Sequence, residues 1–94
     1  MDEKLNYIVD VLKRSNLTDG ESKVYLALLE LGSATTGPII EKAGVNRSIV
    51  YQILERLMDK GIVSYIVNNK VKHYQASDPQ KLLEYVDEQK QDLE

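Results

Sequence analysis

Thr35-Thr36-Gly-Pro-Ile-Ile-Glu-Lys-Ala-Gly44-Val-Asn46-Arg47-Ser48-Ile-Val-Tyr51-Gln-Ile-Leu-Glu-Arg-Leu-Met-Asp-Lys-Gly61 is the stretch on which the fold turns. It reads as a short helix, a tight turn at Gly44-Val45-Asn46 and a longer helix stopped by Gly61. Thr35 or Thr36 caps the first helix, and Pro38 falls in its first turn, where a missing N–H costs nothing. Ile39, Ile40 and Ala43 supply its buried side, and Gly44 takes the left-handed conformation that lets the chain reverse. Asn46 caps the second helix. Its residues Val50, Ile53, Leu54 and Leu57 fall within about 100° of arc and face inward. Ser48, Gln52, Glu55 and Asp59 lie opposite, flanked by Tyr51 and Arg56.

Downstream, Ile62 to Val67 is rich in β-branched residues, and Val71 to Ala76 alternates. Asn68-Asn69 between them tolerates positive φ and makes a short hairpin turn. A helix-turn-helix that runs into a hairpin is a winged helix. The expected fold is therefore mainly α with a small β-hairpin, a winged helix-turn-helix with flanking N- and C-terminal helices.

Upstream, Thr18 and Glu21 form a capping box at the head of a core helix that runs to about Leu31, with Val24, Leu28 and Leu31 on one stripe and Tyr25 and Leu29 beside it. Gly32 ends it. Before that, residues 2 to 15 read as a helix with Leu5, Ile8, Val9 and Leu12 at helical spacing. Met1, Leu5, Ile8 and Leu12 also fit a coiled-coil seam. The first helix, within 1–16, thus either packs on its own domain or pairs with a second copy. The DNA-binding unit is placed at 17–77. A last helix over 78–94 opens at Pro79 and carries Leu82, Val86, Gln89 and Leu93 at spacings of 4, 3 and 4. So narrow a stripe on a charged helix suits coiled-coil dimerisation with its copy.

The 94 residues suffice for one small domain, and 43% hydrophobic with 29% charged residues is ordinary for a globular protein. There is no cysteine, hence neither a disulfide framework nor a thiolate metal site. The start, Met1-Asp-Glu-Lys, lacks the order of a signal peptide, and no apolar run approaches the ~20 residues of a membrane span, so the expected location is cytoplasmic. The net charge is −3. Between Glu41 and His73, however, Lys42, Arg47, Arg56, Lys60, Lys70 and Lys72 face only Glu41, Glu55 and Asp59, a local +3. A basic reading face on an acidic body suits DNA, with weak and strongly salt-dependent non-specific affinity.

The first two turns of a recognition helix are the part that meets base edges. Here their exposed side offers Arg47, Ser48, Tyr51 and Gln52. Gln52 has the chemistry for adenine, and Lys70 and Lys72 at the wing are placed for phosphates or a minor groove. These six residues are the expected DNA-binding set, with double-stranded DNA as the partner. His73, the only histidine, stands without the carboxylates or thiolates of a metal site and without a triad motif. No phosphate-cradling glycine loop and no small-molecule site is evident. No metal, no cofactor and no enzymatic activity are expected. The alternative is a winged-helix protein–protein interaction module in a larger assembly; its reading face would be neutral or apolar and its wing poor in lysine.

Three phrases are similar to the DNA-binding domain of the TrmB family of transcriptional regulators, found mostly in archaea. They are Leu17-Thr-Asp-Gly-Glu-Ser-Lys-Val-Tyr-Leu-Ala-Leu-Leu-Glu-Leu-Gly32, Ala43-Gly-Val-Asn-Arg-Ser-Ile-Val-Tyr51 and Leu57-Met-Asp-Lys-Gly-Ile-Val63. The resemblance covers about Leu17 to Pro79. It implies a homodimeric repressor or activator on a partly palindromic operator, with Arg47, Ser48 and Tyr51 matching the family's Arg-Ser-x-x-Tyr pattern. Ile49 departs from that pattern, since relatives often carry a polar or basic residue there. Many members also carry a C-terminal sugar-binding domain, and this sequence ends at Glu94. The expectation is either a stand-alone regulator or the N-terminal piece of a longer one.

Overall fold

The computed structural model describes residues 3–14 and 17–78. The helix expected from Pro79 onward, with its seam of Leu82, Val86, Gln89 and Leu93, lies outside the described residues. The elements in order are α1 (Glu3–Arg14), α2 (Asp19–Leu31), β1 (Ser33–Ala34), α3 (Thr36–Ala43), α4 (Arg47–Asp59), β2 (Val63–Asn68) and β3 (Val71–Ala76).

Ile8, Val11 and Leu12 of α1 are buried in the domain's own core. Two members of the suggested coiled-coil seam, Ile8 and Leu12, are thus already covered within one chain. Thr18 caps α2 as expected: the Glu21 N–H donates to Thr18 Oγ1 (3.1 Å) and the Thr18 N–H donates to Glu21 Oε1 (2.9 Å). Glu21 has a second task, because Lys60 Nζ donates to its Oε2 at 3.1 Å and ties the end of α4 to the start of α2. Burial alone would raise the Glu21 pKa. The Thr18 backbone N–H and the Lys60 ammonium outweigh it and hold the carboxyl below its ordinary 4.5. A depressed folded-state pKa gives stability that is present above about pH 4.5 and lost as pH falls through the folded value. Glu21→Gln should therefore be less stable than the parent at neutral pH, with the gap closing on acidification. Urea midpoints measured from pH 7 to pH 3 give the comparison, and a constant gap would remove Glu21 from the acid response.

The core is built from Val24, Tyr25 and Leu28 of α2, Ile39 of α3, the α4 stripe, and Ile62, Val63 and Tyr74 from the hairpin. All four expected α4 residues, Val50, Ile53, Leu54 and Leu57, are at most 2% exposed. Lys60 ends α4, and the next two residues close a Schellman motif. Gly61, at φ 78°, donates its N–H to Met58 O, and the buried Ile62 donates to Leu57 O.

Two differences from the expected hairpin matter. The sheet has three antiparallel strands in the order β1-β3-β2, because Ser33-Ala34 pairs with Gln75 and Tyr74. A two-residue strand shows no alternation, so nothing in the sequence marks it. The turn is also one residue later: Asn68 pairs with Val71, and Asn69 (φ 51°) and Lys70 (φ 66°) are the two central residues. Positive φ at both is the type I′ geometry that matches strand twist. Asn tolerates it, but Lys does so only against steric strain.

Candidate nucleic-acid interface

The first turn of α4 stands clear of the domain. Arg47, Ser48 and Ile49 are all exposed before Val50 disappears into the core. Three consecutive residues at 100° each span about 200° of the helix circumference, so this turn meets solvent on more than one face. Arg47 lies at almost the azimuth of Leu54, two turns on. It is exposed because the core ends there, not because it lies on the polar face.

Asn46 holds the turn in place. Its Oδ1 accepts from the Ser48 N–H (3.0 Å) and from Ser48 Oγ (2.8 Å). The Ser48 hydroxyl proton is thereby engaged, and its oxygen is left as an acceptor. Tyr51 and Gln52, one turn later, are also exposed. The Tyr51 hydroxyl is 3.2 Å from Thr36 Oγ1, which joins α4 to the first residue of α3. This hydrogen bond, with the Arg47 guanidinium beside it, draws the phenol pKa below its usual 10 against slight desolvation.

The wing reaches the same side. Thr35, Thr36, Tyr51, Lys70, Val71, Lys72 and Tyr74 line a shallow cleft of about 250 Å³. Lys72 lies on the sheet face that carries Tyr65 and Tyr74, opposite Val67. Its Nζ stands 4.6 Å above the Tyr65 ring, which in turn packs on Tyr74 at 5.9 Å between centroids. A cation–π contact of this kind restricts the lysine without neutralising it.

Three of the six expected residues, Tyr51, Lys70 and Lys72, thus meet at one cleft, and Arg47 is adjacent to Tyr51. Ser48 and Gln52 lie on the adjoining outward face of α4. Sequence reading missed Thr35 and Thr36 at the cleft wall and Tyr65 beneath Lys72. Thr36 precedes Tyr51 by 15 residues, and only the fold unites them. The basic count also changes. Lys42 pairs with Glu30 at 2.8 Å and Lys60 with Glu21, so the positive field rests on Arg47, Arg56, Lys70 and Lys72. Glu55 and Asp59 occupy the later turns of the outward face, so the acidic side chains of α4 lie away from its first turn. Among the described residues no three His, Asp or Glu side chains converge as metal ligands, and no helix is long and apolar enough to cross a membrane.

The sequence model for the family described as "Sugar-specific transcriptional regulator TrmB" matches residues 12–80. The chain is 32% identical over 81 residues to the HTH-type sugar sensing transcriptional regulator TrmBL1 of Pyrococcus furiosus, which covers 86% of this chain and 24% of that protein. It is 45% identical over 56 residues to YrhO of Bacillus subtilis, 60% of this chain and 20% of that protein. Similar sequences therefore occur in bacteria as well as archaea, and the archaeal expectation is not supported. The chain spans about a quarter or less of the length of these relatives. Among solved structures, TrmBL2, an archaeal chromatin protein, superposes with a TM-score of 0.75 at 22% identity, over 90% of this chain and 33% of that one. That likeness bears on the winged-helix fold.

Proposed function

From its membership of the TrmB family of transcriptional regulators, to which this chain belongs, we propose that the protein is a sequence-specific double-stranded DNA-binding regulator acting as a cytoplasmic homodimer. The family and the fold neighbours are DNA-binding regulators rather than enzymes. In this reading the recognition helix, with Asn46 as its cap and ending at Lys60, enters the major groove. The wing, Ile62 to Ala76, lies at the backbone or minor groove, and the C-terminal segment 78–94 pairs the two copies. The sugar sensing named for the relatives stays with them.

One observation carries the proposal: the exposed first turn of α4 and the wing lysines converge on one side of the domain, with Tyr51 at their junction. Selection of bound duplexes from a random pool tests it. An enriched inverted repeat is expected, and a pool that fails to enrich would overturn the reading. The exposed Ile66, Val67 and Val71 of the wing are the feature that suits the protein-binding alternative. Capture of a protein partner together with a pool that does not enrich would favour that alternative.

Lys70 gives a second test. It holds the left-handed turn position that glycine would fill without strain, and it places a cation at the wing tip. Lys70→Gly should raise folding stability by roughly 0.5–1 kcal/mol, the relief of strain less the added freedom of the unfolded chain. It should also weaken binding equally for all sequences and lower the salt slope by about 1. An unchanged slope would place Lys70 away from phosphate.

A further inference from the structure

Ile49 is 47% exposed, third in α4, and flanked by residues assigned to DNA. A lone surface isoleucine elsewhere would need no explanation. Here it stands on a helix tip whose first three residues are all exposed. It sits 100° from Val50 on the side away from Tyr51, with Gln52 one turn further on the same flank. Its β-branched side chain is a poor helix former for a solvated site, and about half of its surface is open to solvent.

We infer that Ile49 reads the 5-methyl group of a thymine on the wall of the major groove and so helps to set operator specificity. The inference rests on the DNA-reading role proposed above. The groove is ~12 Å wide and the helix with its side chains ~10–12 Å, so both flanks of an inserted tip meet groove walls. The thymine methyl is the one apolar mark on that wall, and an aliphatic side chain is its complement. Gln52, three residues on, is displaced about 4.5 Å along the axis, close to the ~3.4 Å step between bases. Gln52 pairs well with adenine N6 and N7. Together the two side chains favour an A·T-containing step, Gln52 supplying polar and Ile49 apolar recognition.

The test uses the full chain and the duplex enriched from the random pool. Each thymine is replaced in turn by deoxyuridine, which keeps the base-pairing edge and loses only the methyl. At one thymine per half-site the substitution should weaken binding about fourfold, the value of one buried methyl-sized group. Ile49→Ala, folded by circular dichroism, should bind the parent duplex more weakly and lose the discrimination between thymine and deoxyuridine. Equal binding of the wild type to both duplexes would overturn the inference and leave DNA reading intact. So would an Ile49→Ala protein that kept the discrimination. A pool with no enriched duplex would overturn both.

Discussion

Replacing Arg47 by alanine should lower affinity for the selected operator by about 1–3 kcal/mol while leaving the unfolding transition within about 0.5 kcal/mol of the parent. Arg47 is exposed at the first position of α4 and takes no part in the core, so the fold has little to lose. Its guanidinium lies beside Tyr51, whose phenol it helps to draw to a lower pKa. Removing it takes a cation from beside the Thr36–Tyr51 hydrogen bond. Arg47→Lys should recover only part of the loss, because a point charge lacks the planar fork that fits guanine O6 and N7. Fluorescence anisotropy on the operator and on a scrambled duplex, each at several salt concentrations, separates the roles. A loss confined to the operator assigns Arg47 to a base. An equal loss on both, with a shallower salt slope, assigns it to phosphate. Undiminished binding to both would remove it from the interface.

How much of this was legible in the sequence depends on the distance over which each feature is encoded. The α4 stripe, the Thr18–Glu21 capping box and the glycines at 44 and 61 are local patterns, and the structure repeats them. Side chains that act across the chain were not legible. Glu21 and Lys60 are 39 residues apart, and Tyr25, read only as a core residue, sends its hydroxyl to Ser77 O at 2.9 Å across 52. That buried hydroxyl, beside Asp78, has its pKa pushed up to about 12, so it remains a donor. Ser77 also donates from its N–H to Ile62 O and from Oγ to Gly61 O, fixing where the chain leaves β3. The basic stretch was misjudged for a similar reason. A count of lysines treats each as part of the field, whereas Lys42 and Lys60 each pair with a glutamate of α2. The turn at Asn69-Lys70 was displaced by one residue because sequence preference locates the asparagines but not the pairing register.

Leu54→Ala should produce the converse phenotype to Arg47→Ala. Leu54 is 1% exposed, and removing its buried methyl groups from a packed site costs ~2–5 kcal/mol. That is a large share of the ~5–15 kcal/mol expected for a domain. The urea midpoint should fall with an unchanged slope. Binding measured where the variant is still folded should stay near that of the parent. The contrast is informative because Arg47 and Leu54 lie seven residues apart, at nearly the same azimuth of one helix. Position along the axis, rather than around it, separates the exposed Arg47 from the buried Leu54: the core reaches Val50 and stops short of Arg47. A Leu54→Ala protein that lost affinity while fully folded would show that the helix tip is held by the core behind it. An unchanged midpoint would mean that the second half of α4 does not face inward, and the projection of its first turn toward DNA would then have no structural basis.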